Sequence, residues 1–578
     1  MPVFDTMTIA GQAFLTPGKR VSRRYFPREA MPPVPPTDVF AATRPPHGLR
    51  LFVLGESSAA GFPYPHNGTF SRVLRDALRD VLPQDSVEVV NLGIAATNSY
   101  TMVDLVNDVI EQRPDAVLIY AGHNEYYGAL GVGSAIGGRS TPWITRAYLT
   151  ALRLRTVVLL RAGLEKVWSV ASRHRRADAN AATFMETVAN DESIPIDSPM
   201  YVAGLRQFGS NLDVLLSRLR RAGIPVFIGS IASDLRDQPP FVSPKNGPAR
   251  AAFQAAQSRL TAGDTAAARD LFVQARDLDV VRFRAPSALN EEIRRLADQD
   301  GAIYVPSAER LAAEAPGGIP GHELFLEHVH LNQHGYALLA EAFFDALAAR
   351  NFLGHQARMD RLAQWSAYER RMEITPFDQR IVEHTVRTVT TRWPFVDREH
   401  ALDYRATYRP TSASDSLALL VSRGGMSWAE AKVMVASGEA ARGRLDSAAA
   451  EYRGLVRDAP FLELPNRLLG RTLVEQRQPT EAVPYLETAF RLQPTGEAAF
   501  LLGNIALDAR QLDRAIVLLD QASRLSPASA WPPFRLSVAF GLSHNLEAAR
   551  AAAARAALLD PRLPGIREWM STLGMRQP

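Results

Sequence analysis

The stretch LRLFVLGESSAAG, from Leu49 to Gly61, decides how the chain is read. LRLFVLG is a β-rich apolar run that goes straight into a Gly-containing turn, and Glu56-Ser57 then lifts a hydroxyl above the edge of the sheet the strand joins. Working outward, the same pattern returns at VEVVNLG (Val87 to Gly93), AVLIYAG (Ala116 to Gly122), VFIGS (Val226 to Ser230) and IYVP (Ile303 to Pro306). Between these runs lie segments such as FSRVLRDALRDVL and MVDLVNDVIEQ, whose apolar residues recur at three and four. Strands alternating with amphipathic helices predict an α/β fold, a doubly wound five-stranded parallel sheet covered by helices. It is expected over residues 49–350, with helical insertions at about 135–200 and 249–280. Ligands of open α/β sheets gather at the carboxyl ends of the strands, so the turns after the first three strands are where function is sought.

The flanks read differently. PPVPPTDVFAATRPPH (Pro32 to His47) has too few apolar residues to pack, and residues 1–48 are expected to form an extended lead-in. Within it KRVSRRYFPR (Lys19 to Arg28) is a solvated basic segment, or a contact for an acidic partner or a membrane surface. Residues 351–425 mix helical pattern with WPF and YRPTSASD breaks and read as a helical connector. From 426 to 578 the chain repeats itself: Pro460, Pro494, Pro527 and Pro561 are spaced by 34, 33 and 34, and twelve residues before each stands Ala448, Ala482, Ala515 or Ala549. That period, with a small residue at a helix crossing, resembles tetratricopeptide repeats, an all-α superhelix of antiparallel helix pairs. LTAGDTAAARDLFVQARDLD (Leu260 to Asp279) looks like a further copy inserted near the sheet.

Composition narrows the function. With 65 basic against 61 acidic residues the charge is nearly balanced, which argues against nucleic acid as a partner. The absence of cysteine excludes disulfides, thiolate metal sites and a cysteine nucleophile. No run approaches the roughly 20 apolar residues of a spanning helix, and MPVFDTMTIAGQAF lacks the layout of a signal peptide, so the chain reads as soluble. An extracytoplasmic or periplasmic location would require an anchor upstream of this sequence.

Transferring an acyl group needs a nucleophile, a base and donors for the oxyanion. Four stretches offer these parts: LGESSAAG with Ser57, NLGIAATNS with Gly93, YAGHNEYYG with Asn124, and LEHVHLNQHGY with Glu327 and His330 just before a helix opening near Gly335. Together they resemble the SGNH or GDSL hydrolase superfamily over roughly Arg50 to Arg350. Gly55-Glu56-Ser57 stands where that family has Gly-Asp-Ser, and Gly93 stands for its isolated glycine. Gly122-His123-Asn124-Glu125 matches Gly-x-Asn-Asp, and Glu327-His328-Val329-His330 matches Asp-x-x-His. The resemblance implies a flavodoxin-like sheet, with Ser57 as nucleophile and first oxyanion donor, Gly93 and Asn124 completing the hole, His330 as base and Glu327 orienting it. Glutamate replaces aspartate at Glu56, Glu125 and Glu327, so a Ser-His-Glu triad and a Ser-His dyad are both open.

Other readings stand beside this one. His328, His330 and His334 with Glu327 suggest a metal site, but His328 and His330 would point to opposite sides of an extended segment, so no metal and no cofactor is expected. Tyr126 and Tyr127 either line an acyl or sugar pocket or belong to the core of a following helix. The functional expectation is a serine esterase on an ester-bearing substrate, of carbohydrate or other hydroxylated type, working through an acyl-Ser57 intermediate. The alternatives are an O-acyltransferase with the same site, or a non-catalytic scaffold whose repeats bind a protein or polymer partner.

Overall fold

A computed structural model describes residues 1–575 apart from Arg28, Ala30, Met31, Pro65, 137–140, Arg155, 158–183, 190–192, 242–246, Leu353 and 355–356. The chain divides into two units, Met1–Met7 with Ala13–Gly425, and Thr8–Gln12 with Met426–Pro578. Near the N-terminus β1 (Phe4–Ile9), β2 (Gln12–Pro17) and β3 (Phe40–Ala41) form a small sheet in that order, with β3 antiparallel to β2. This corrects the expected extended lead-in over residues 1–48, because Val3, Val21, Tyr25, Phe26 and Phe40 are buried in the core of the main sheet. Within this segment Lys19, Arg20 and Arg23 are exposed as a solvated stretch would be, but the Tyr25 hydroxyl donates to Asp104 Oδ2 at 2.8 Å and Arg24 pairs with the same carboxylate. The apolar residues that do this are few and irregularly spaced, so no period in the sequence announces them.

The main sheet contains β4 (Gly48–Gly55), β5 (Ser86–Asn91), β6 (Ala116–Tyr120), β7 (Val226–Gly229) and β8 (Ile303–Val305), all parallel, in the order β5-β4-β6-β7-β8. This is the doubly wound order expected. β4 is inside it, with Val53 opposite Asn91 on one side and Gly55 opposite Tyr120 on the other. Leu51 to Leu54 are wholly buried, which explains the unbroken apolar run, since both faces of a parallel sheet are covered. Three helices follow the first strands: α1 (Ser57–Ala60), α2 (Phe70–Val81) and α3 (Ser99–Glu111). α2 buries Phe70, Val73, Leu74, Ala77, Leu78 and Val81 at helical spacing and starts where the Thr69 side chain accepts from the Arg72 N–H. It packs against the helix Gln333–Ala349, whereas α3 packs against Pro199–Arg221. Chain order reverses across β4, so the crevice beyond the carboxyl ends of β4 and β6 is the natural ligand position.

Residues 351–425 are not a connector. Tyr368, Met372, Val382 and Trp393 enter the core of the α/β unit, and the Tyr368 hydroxyl donates to Asp80. Tyr368 lies on the helix Trp365–Arg370 and Val382 on Pro376–Thr390, whereas Met372 and Trp393 lie in turns, so the apolar pattern never keeps one period for long. The second insertion is the helix pair Pro248–Thr261 and Thr265–Leu278, closed over its own cluster of Ala252, Phe253, Ala256, Ala268, Phe272 and Ala275. Of the insertion expected at 135–200, residues 158–183 lie outside the described part; Pro142–Ala151 is helical. Among the described residues no helix is long and apolar enough to cross a membrane.

The second unit consists of helix pairs: Trp428–Ala441 with Leu445–Asp458, Glu463–Glu475 with Pro479–Leu492, Gly496–Asp508 with Leu512–Leu525, and Trp531–Leu542 with Leu546–Leu559. Ala448, Ala482, Ala515 and Ala549 are all fully buried at the crossings. The turn inside each pair contains one left-handed residue: Gly443 (φ 75°), Arg477 (φ 61°), Arg510 (φ 59°) and His544 (φ 62°). Only the first is the residue type that adopts this conformation freely. Arg510→Gly is therefore expected to stabilise the unit by about 0.5–1 kcal/mol, read as a higher urea midpoint.

Candidate active site

Ser57 is the first residue of α1, and the strand can turn into that helix only because Gly55 has no side chain. A Cβ on Gly55 would lie 2.2 Å from the Tyr120 carbonyl oxygen and 2.6 Å from Ala59 Cβ. The loop that carries His330 is closed by a bridge between Phe325 and Leu331 and by the Leu326 N–H donating to the His330 carbonyl at 2.8 Å. Asn332 then caps the helix Gln333–Ala349 by accepting from the Gly335 N–H. The Ser58 hydroxyl donates to the Val329 carbonyl at 3.1 Å and ties the two segments together.

The result is a connected line of groups. His330 Nε2 lies 2.7 Å from Ser57 Oγ, and His330 Nδ1 contacts Glu327 Oε1, which also accepts from the His330 backbone N–H at 3.0 Å. Ser57, Glu327 and His330 are all buried. Burial lowers the His330 imidazole to about 3, so the ring rests neutral, and the Glu327 carboxylate at Nδ1 works in the opposite direction by favouring the charged form.

The two remaining glutamates hold the loop that carries Asn124. Glu56 accepts from the N–H groups of Gly122 at 3.1 Å and Asn124 at 3.0 Å. Glu125 accepts from the Ser99 N–H and hydroxyl and from the Gln207 amide. His123 bridges to the Ala232 carbonyl through Nε2 and accepts from the Ala285 N–H at Nδ1. Asn124, half-buried between these anchors, is carried at the same strand ends as Ser57.

Gly93 departs from expectation. Its N–H donates to Asn91 Oδ1 at 2.8 Å, while Asn91 Nδ2 donates to the Ala59 carbonyl and to Ser71 Oγ. A Cβ on Gly93 would lie 2.6 Å from Ala60 N, so this glycine lets the loop pass close to α1, and its N–H is engaged within its own loop rather than offered to a ligand. The residue that takes it, Asn91, stands in VVNLG two positions ahead, a short-range hydrogen-bonding arrangement that Asn side chains favour.

His328 and His330 do not point apart. Residues 327–329 are bends rather than extended strand, and both rings turn Nδ1 to the same Glu327 carboxylate. The potential ligand atoms of Glu327, His328 and His330 fall within 4.8 Å of one another, but they are engaged with each other and with Ser57. His334 is turned elsewhere, its Nδ1 3.1 Å from Glu369. Tyr126 and Tyr127 are core residues, the first stacked on Tyr201 and the second tilted against Phe283, in a run of turns rather than a helix. Phe62, which sequence reading passed over, places its ring 4.5 Å from that of His330.

The buried groups set a pH optimum for stability. Burial raises Glu56 to about 8 and Glu125 to about 7 from 4.5, and lowers His123 and His330 to about 3 from 6.5. A carboxyl with a raised value holds its proton more tightly when folded, so its stabilisation is lost as pH rises from about 4.5 through about 8. A histidine with a lowered value is neutral when folded, so stability is lost as pH falls below about 6.5. Both losses are roughly 1 kcal/mol per pH unit per group. Between about pH 4.5 and 6.5 the two losses offset each other, so the denaturant midpoint is expected to show a broad maximum there and to fall on both sides; a midpoint still rising between pH 7 and 8 would contradict the assignment.

The tetratricopeptide repeat family matches residues 467–530, within the helical unit. No curated protein matches the chain. Among solved structures it is similar to MamA 41-end from Desulfovibrio magneticus RS-1, with 20% identity over 26% of this chain and 85% of that one at a TM-score of 0.25. It is also similar to YrrB, a TPR protein with an unusual peptide-binding site, at 21% identity over 27% and 82% and a TM-score of 0.25. A third similarity is to Axe2, an acetylxylan esterase from Geobacillus stearothermophilus, at 14% identity over 54% and 98% and a TM-score of 0.28.

Proposed function

We propose that the α/β unit is a serine hydrolase of SGNH type, with residues 49–350 as its catalytic part, acting on acyl esters through an acyl-Ser57 intermediate. The observation that carries this reading is the 2.7 Å approach of His330 Nε2 to Ser57 Oγ, with Glu327 on the far side of the ring. His330 Nε2 takes the hydroxyl proton as Ser57 Oγ attacks the ester carbonyl carbon, and the imidazolium that forms is stabilised by Glu327. The oxyanion is met by the Ser57 N–H, at the head of α1 where the first amides have no partner within the helix, and by the Asn124 side-chain amide. Protonated His330 then gives its proton to the leaving alkoxide. Water, or a sugar or other alcohol in the transferase variant of the same chemistry, resolves the acyl-enzyme by the reverse steps.

The repeats support a second part of the reading, that residues 426–578 dock a protein or polymer partner while the α/β unit modifies an ester. The test is labelling of the folded full chain with a fluorescent fluorophosphonate, which requires an activated serine. Labelling that disappears in His330→Ala supports the hydrolase, whereas folded protein that stays unlabelled favours the scaffold.

A further inference from the structure

We propose that His328 is a positioning residue, whose Nδ1–H holds the second oxygen of Glu327 so that the first is fixed against His330. The inference rests on the reading of His330 as base. A glutamate has one more methylene and one more torsion than the aspartate usual at this place, and a carboxylate held at one oxygen could swing about that torsion. Here both oxygens are held: Oε1 faces the Nδ1 and backbone N–H of His330, and Oε2 faces Nδ1 of His328. His328 is itself fixed. Its ring lies edge-on to Phe241 and Phe395, each at 5.3 Å, and its carbonyl accepts from the Asp234 N–H at 3.0 Å.

A neutral donor is the right chemistry for this task, because it orients the carboxylate without cancelling the charge that His330 needs when it becomes an imidazolium. The titratable and charged groups that face His328 are Glu327 and His330 on its own loop, His123 from the loop after β6, and Arg284. Burial first, and then the repulsion that His330, His123 and Arg284 would offer a charged ring, hold His328 well below the ordinary histidine range, in its neutral form.

The experiment is a double-mutant cycle on the full chain, with p-nitrophenyl acetate turnover and fluorophosphonate labelling as rates. His328→Leu is expected to lower kcat about 10- to 100-fold with little change in KM. His328→Asn, whose amide N–H can reach the same oxygen, recovers most of the loss. In a Glu327→Gln background His328→Leu adds little, because a residue acting through Glu327 has nothing left to position. Equal losses in both backgrounds, or no loss at all, overturn the proposal. Long-range proton–nitrogen NMR of labelled histidines is independent of activity: both His328 and His330 are expected as the Nδ1–H tautomer. An Nε2–H tautomer at His328 overturns it even in a protein that turns nothing over. Wild-type protein that labels nowhere refutes the reading of Ser57 and His330, and with it the role assigned to His328.

Discussion

Ser57→Ala is expected to reduce ester turnover at least about 10⁴-fold and to bring fluorophosphonate labelling to background. The size follows from the arrangement at the strand ends: the only hydroxyl at hydrogen-bond distance from His330 Nε2 among the described contacts is that of Ser57. Without it the base has no proton to take, and water must attack unaided. Stability should move only modestly, by about 1–2 kcal/mol, because α1 begins at the backbone of residue 57 and the Ser58 tie to Val329 remains, so the loss is confined to the Ser57–His330 hydrogen bond. The denaturant midpoint of the variant should therefore stay close to that of the wild type. A variant that keeps its turnover while folded would show that Ser57 is not the nucleophile, whatever its distance from His330.

Gly55→Ala is expected to cost about 3 kcal/mol or more, the upper end for overpacking. The clash is with backbone, not with a side chain that can turn away: the added Cβ would sit 2.2 Å from the Tyr120 carbonyl, on the residue paired with Gly55 in the β4–β6 register. Relief requires β4 and β6 to part or α1 to tilt outward, and either movement carries Ser57 away from His330. Activity should accordingly fail by more than stability alone explains, seen as lost labelling at temperatures where the variant is still folded by circular dichroism. A variant with wild-type midpoint and labelling would mean that the strand end is far more yielding than its packing implies.

How much of this was legible beforehand depended on how local each feature is. The five strands could be read because a parallel strand buried on both faces is a continuous apolar run, as Leu51 to Leu54 illustrate. The repeats could be read because each helix pair solves the same packing problem with an alanine in the same place. Ser57, Glu327 and His330 were visible as residue types at strand ends and helix starts, and the structure brings them together. The part Gly93 plays could not be read from spacing, because a glycine that offers its N–H to a ligand and one that only lets two segments pass are the same letter. What separates them is Asn91 Oδ1, a contact between side chain and backbone that spacing does not reveal. The N-terminal segment and residues 351–425 were misread for a related reason: their buried residues answer to the shape of a core built elsewhere, not to a period of their own. His328 fell between these cases, since its direction depends on bends at 327–329 that only the closed loop imposes.

Ser57 and His330 stand 273 residues apart, and the tie between Ser58 and Val329 spans 271. During synthesis the first reaches the solvent long before the second exists. At about 5–20 residues per second, a nascent chain would spend some tens of seconds with β4 and its serine exposed and no imidazole to activate it. The pair is thus completed late in synthesis, and on the reading proposed for Ser57 and His330 a prematurely terminated product ending before His330 would be chemically silent rather than an unregulated esterase.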